Sequence, residues 1–183
     1  MSEAKPAKSP MDPGYLKDQS ESKPLENAAK YGSVVGSLLY VSVVARPDIA
    51  NSAAILGRTF SNPTELDWTA AKRVLRCLKK TKNYTLRLGG AFDEPLSGYS
   101  DADWAGDLQS RRSTSGYAFM FGGATISWAS RGQSSVTLSS IEAEYVALSE
   151  ACQVAIWSRC CSLISESIKR DQLQSRMSRF RSY

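Results

Sequence analysis

The chain has 183 residues, 42% of them hydrophobic, with 23 Lys and Arg against 18 Asp and Glu and a net charge of +5. That balance fits one globular domain or somewhat more, and a pI of about 9.1 permits a polyanionic partner. Histidine is absent, which excludes Ser-His and Cys-His nucleophilic catalysis within the chain, and no apolar run reaches the roughly eighteen residues of a membrane span.

Residues 1–29 are rich in Lys, Ser, Asp and Glu and are broken by Pro6, Pro10, Pro13 and Pro24. They read as a flexible arm or linker. They contain no apolar signal core, so the expected location is intracellular, cytoplasmic or nuclear. Cys77, Cys152, Cys160 and Cys161 lack zinc spacing and read as reduced thiols.

A helical segment, 30–83, follows. Tyr31 to Ala45 is apolar and reads as a helix, ended by Arg46-Pro47 because the residue before proline avoids the helical region. Ile49, Ala53, Leu56 and Phe60 predict a second helix over 48–60. A third should start at Asn62, with Pro63 in its first turn and Glu65 closing a capping box. Its expected inner stripe is Trp68, Ala71, Leu75 and Leu78. Lys72, Arg73, Arg76, Lys79, Lys80 and nearby Lys82 form a basic face. Clustered Lys and Arg suit phosphate neutralisation; a solvated helix face is the alternative.

Strands are expected at 84–88, 96–101, 114–121 and 124–130, with Gly122-Gly123 as a hairpin turn. Arg111 and Arg112 lie in the loop before the third of these and could meet phosphate; a plain polar hairpin tip is the other reading. A helix then runs over about 140–158, with Ser139 and Glu142 spelling a capping box. Its expected inner stripe is Ile141, Tyr145, Leu148, Cys152 and Ala155, with Glu144 beside it. A carboxylate facing a core needs a cation or a donor. Asp101 shares a pleat face with Tyr99 at the end of its strand. Singly, these acids could be a turn residue and a snorkelling edge residue.

The stretch GYSDADWAGDLQSRRSTSGYAFMFGGATISWAS, followed by LSSIEAEYVALSEA, closely resembles the ribonuclease H domain of copia-type long-terminal-repeat retrotransposon polyproteins. The upstream run from Tyr31 to Leu88 resembles the segment that joins reverse transcriptase to that domain. The two resemblances cover about residues 10 to 157.

They imply an α+β or α/β architecture: a helical segment, then a partial ribonuclease H-like fold over 84–158, made of an antiparallel three-stranded sheet and a helix. They imply Asp101 and Glu144 as catalytic and metal-ligating carboxylates for Mg²⁺, and an RNA–DNA hybrid or duplex as partner. The family's chemistry is RNA-directed DNA synthesis and hydrolysis of hybrid RNA.

Three departures limit that chemistry. No Tyr-x-Asp-Asp polymerase signature is present, and Tyr-Ser-Asp-Ala-Asp at 99–103 is a lookalike. The later ribonuclease H aspartates have no counterpart, which leaves an incomplete metal site with weak or absent Mg²⁺ binding and negligible catalysis. Residues 159–183 leave the family pattern and read as an out-of-family tail. The strand carrying Asp101 would also lose a neighbour and present an open edge for association.

Overall fold

The structure is a computed structural model that describes residues 4–16, 22–87, 96–108 and 110–180, with side chains as far as Cys161. Among the described residues it is an α+β arrangement of four α-helices and one three-stranded antiparallel sheet.

Helix α1 spans Ala28–Val44, and Asn27 caps it by accepting from the Lys30 amide. A single 3₁₀ turn at Pro47–Ile49 leads into α2, Ala50–Arg58. Arg46 holds that turn: its guanidinium donates to both Asp48 oxygens at 2.8 and 2.7 Å and to the Thr81 carbonyl at 3.3 Å. Its hydrogen bond keeps the Asp48 carboxyl below the usual carboxylate range. Helix α3 spans Glu65–Lys80. Tyr31, Val35, Leu38, Ile49, Ala53, Leu56, Ala71 and Val74 form the core of this helical layer.

The start of α3 differs from expectation. Thr64, not Asn62, is the N-cap, and Asp67, not Glu65, closes the capping box. The Asp67 amide donates to Thr64 Oγ1 at 3.3 Å and the Thr64 amide donates to Asp67 Oδ2 at 2.7 Å. Pro63 therefore lies outside the helix, where its carbonyl accepts from the Leu25 amide. The helix turns Ala70, Ala71, Val74 and Cys77 fully inward, whereas Trp68, Leu75 and Leu78 cover the rim of the core.

The N-proximal segment is not a free arm where it is described. Residues 4–16 lie against α3: the Ala7 amide donates to the Arg76 carbonyl, and the Tyr15 hydroxyl donates to the buried Asp67 carboxylate. Ala7 and Tyr15 are both buried. Residues 84–87, expected to begin a strand, form none, and Leu88 and the expected loops at Gly89-Gly90 and Asp93-Glu94-Pro95 lie outside the described residues.

Strands β1 (Ser97–Asp103), β2 (Thr114–Phe121) and β3 (Ala124–Gly132) form a meander in the order β1-β2-β3. The β2–β3 turn uses Gly122 and Gly123 at φ 55° and 73°, the left-handed pair that a two-residue hairpin requires.

The register sorts the two faces. Asp101 opposes Gly116 and Gly116 opposes Ser130; Ala102 opposes Ser115; Ala118 opposes Trp128. Trp128 donates to the Ser42 carbonyl at 2.7 Å, Ser130 bonds Asn51, and Thr114 accepts from Arg58. That face therefore rests on α1 and α2. The other face, with Ser115, Tyr117 and Phe119, packs on α4, Ser140–Phe180. Gln133 pins sheet to helix, its amide donating to Ser115 Oγ at 3.0 Å and to the Ala143 carbonyl at 2.9 Å.

The buried side of α4 is not the expected one. Ala143, Ala147 and Ala151 face inward, while Ile141, Tyr145, Leu148 and Cys152 are exposed. The alanine stripe lies on the side of the helix that Gln133 ties to Ser115, whereas Ile141, Glu144, Tyr145 and Leu148 line a groove with Ser100. At its start Ser139 accepts from the Glu142 amide, and Glu142 accepts from the Leu138 amide. The helix continues through residue 159 without a break. Among the described residues β1 pairs with β2 alone, so its outer edge is open.

Candidate functional site

Ser100 lines a groove of about 390 Å³ with Ile141, Glu144, Tyr145 and Leu148. Ser100 thus points towards α4, and side chains alternate along a strand. Tyr99, Asp101 and Asp103 consequently stand on the opposite face, the one shared with Gly116 and Ser130. Asp101 and Glu144 are both exposed and lie on opposite sides of the sheet.

The expected meeting of these two carboxylates does not occur. Its premise fails at α4: with the alanine stripe inward, Glu144 rotates out to the groove rather than into a core. Among the described residues no group of three or more His, Cys, Asp or Glu is placed to hold a metal ion. Mg²⁺ needs several oxygens converging in near-octahedral geometry, and this donor set does not fit it. The groove contains one buried hydroxyl, Ser100 Oγ, for which the described residues supply no partner.

The basic residues are distributed differently. Lys72, Arg73, Arg76, Lys79 and Lys80 all lie on the outward side of α3, opposite Ala71, Val74 and Cys77, and Lys82 follows in the turn after it. The Lys72 ammonium lies over the Trp68 ring, 5.6 Å from its centroid. Arg73 donates to Asp12 at 2.8 Å, Arg76 to the Lys5 carbonyl at 2.6 Å and Lys79 to the Ala4 carbonyl at 3.0 Å. Lys80 and Lys82 are exposed.

Arg111 and Arg112 are exposed at the β1–β2 loop. Arg111 has φ 57°, and its amide donates to the Asp107 carbonyl at 2.8 Å. The Ser110 hydroxyl on the Asp107 carboxylate tightens the same turn. The loop is thus a built turn with two guanidinium groups projecting from it.

Two features escaped the sequence reading. One is the buried Asp67, which ties the start of α3 to Tyr15; its signal was the Thr64-x-x-Asp67 spacing. The other is the contact of residues 4–16 with the α3 cations, for which composition gives no signal.

No protein-family profile matches the chain, and no solved structure matches it. Curated proteins do. The chain is 43% identical over 164 residues to the retrovirus-related Pol polyprotein from transposon TNT 1-94 of Nicotiana tabacum, and 38% identical over 163 residues to that from transposon RE1 of Arabidopsis thaliana. The chain belongs to the copia-type retrotransposon Pol polyprotein family. These matches cover 86% and 89% of the chain but 12% and 11% of the two polyproteins, so it corresponds to a short piece of such a Pol protein. It is also 52% identical over 127 residues to "Secreted RxLR effector protein 161" of Plasmopara viticola, covering 69% of the chain and 89% of that protein. Among the described residues of this Pol fragment, no helix is long and apolar enough to cross a membrane.

Proposed function

We propose that the chain is a non-catalytic, nucleic-acid-contacting piece of a copia-type Pol polyprotein. In this reading the helical layer corresponds to the connection after the polymerase, and β1–β3 with α4 to a ribonuclease H-like part. The strand–strand–strand–helix order with an acidic strand end supports the second assignment.

One observation carries the proposal. The outer face of α3 carries a row of cations on a capped helix, of which Arg73, Arg76 and Lys79 also bond residues 4–12, while Asp101 and Glu144 lie on the two sides of the sheet. Cations in a row can neutralise successive phosphates. Two separated acids cannot share metal ions across a scissile phosphodiester. Asp101 and Glu144 are therefore assigned no catalytic step, and Arg111 and Arg112 are a second phosphate contact.

Binding of a labelled RNA–DNA hybrid, followed by fluorescence anisotropy at rising salt, tests this. Affinity should fall steeply with salt. The double variant Lys80→Ser/Lys82→Ser should bind more weakly on every sequence, with a salt slope flatter by about two, one per lost phosphate contact. Binding indifferent to salt, or unchanged in the variant, would contradict the proposal.

A further inference from the structure

Residues 4–16 run along α3 and occupy three of its cations, at positions 73, 76 and 79. Each is three residues from the next, so they share one side of the helix. The occupants are side-chain and backbone oxygens at Arg73 and backbone carbonyls alone at the other two. Arg73 donates to the Asp12 carboxylate, to the Ser9 hydroxyl at 3.1 Å and to the Ser9 carbonyl at 3.3 Å. Arg76 takes the Lys5 carbonyl and Lys79 the Ala4 carbonyl. A row of acceptor oxygens mimics the hydrogen-bonding of a phosphate backbone to the same side chains, with one negative charge where the backbone would carry one on every phosphate.

We infer that residues 4–12 are an intramolecular strap that masks part of the basic face of α3 and is displaced when a phosphate backbone binds there. This rests on the reading of α3 as a nucleic-acid surface.

The strength of the attachment is graded along its length. Tyr15 is buried and held by Asp67, so the strap has a fixed root. Beyond it, Ala7 is the one fully buried side chain among residues 4–12. The Arg73–Asp12 pair is exposed to solvent, as are the bonds to Lys5 and Ala4. Exposed pairs of this kind contribute little, whereas phosphate contacts also gain from counterion release. The outer strap can therefore lift while Tyr15 stays seated. Arg73 is the cation most fully satisfied by the strap, so it gains most in availability when the strap leaves.

The test is hybrid binding by the full chain and by Asp12→Ala, with Glu150→Ala on α4 as a control of equal charge change. Asp12→Ala should bind about twofold to fivefold more tightly, the worth of one exposed ion pair, with a salt slope steeper by about one. Glu150→Ala should move neither. Amide exchange supplies an independent readout: protection at Ala7, whose N–H donates to the Arg76 carbonyl, should fall when hybrid is added to the wild type. If the wild type binds but Asp12→Ala matches it, or if Ala7 stays protected in the complex, the strap is overturned and the surface stands. If neither protein binds hybrid, the surface reading fails and the strap's masking role fails with it.

Discussion

At the residue scale, Tyr31 shows most directly how the helical layer holds together. It is buried, its hydroxyl donates to the Leu56 carbonyl at 2.8 Å, and it shares a hydrogen bond with Thr59. Burial pushes its hydroxyl up to about 12, from a usual value of 10.0. The unfolded chain ionises first, so the stability Tyr31 lends is intact below pH 10.0 and drains away as pH rises to about 12. The loss should approach ~1.4 kcal/mol per pH unit in that window. Denaturant unfolding of wild type and Tyr31→Phe checks this, because the difference between them cancels the titration of the lysines. The wild type should lead by about 1 kcal/mol near neutrality, and the lead should shrink above pH 10.0. A lead that stays constant through that range would show that the phenol is not desolvated as described.

At the element scale, the choice of buried face on α4 decides where the candidate acid points. Ala147 is inward and almost wholly buried, and the adjacent Leu148 is half exposed. Ala147→Leu should overpack the contact with the sheet and cost about 1–3 kcal/mol of stability. Leu148→Ser should change stability by less than about 0.5 kcal/mol. Thermal melts of the two variants distinguish the faces; the reverse ranking would restore Glu144 to a core-facing position.

The same helix shows what a sequence can and cannot reveal. Its existence and start were legible, since Ser139 and Glu142 are local signals. So were β2 at 114–121 and the Gly122-Gly123 turn, because strand alternation and left-handed glycines leave marks within a few residues. Which of two faces of α4 goes inward was not legible. Hydropathy favours Ile141, Tyr145 and Leu148, but the buried side is the alanine stripe next to the Gln133 link between Ser115 and Ala143, a contact made far along the chain. The misplacement of Glu144 follows from that non-local contact, while the side taken by Asp101 is set separately by the alternation of β1 from Ser100. The two-residue shift at the start of α3 has a more local cause: Thr64-x-x-Asp67 and Asn62 compete as starts, and Asp67 wins because Tyr15, 52 residues away in sequence, also donates to it.

At the scale of the whole molecule, the sheet is the divider. One face rests on α1 and α2 through Trp128, Ser130 and Thr114, and the other carries α4. Sequence resemblance places the chain among Pol polyproteins, of which it spans only a small part. The basic row on α3 belongs to the helical layer, whereas Asp101 and Glu144 lie on the two sides of the sheet, so the proposed reading separates binding from hydrolysis. This separation is what the account stands on. Incubation of the full chain with a labelled RNA–DNA hybrid and Mg²⁺, scored for cleavage of the RNA strand, tests it directly. The account predicts no cleavage above the protein-free control, in wild type and Asp101→Asn alike, under conditions where hybrid is bound. Mg²⁺-dependent cleavage by the wild type that disappears in Asp101→Asn would contradict it.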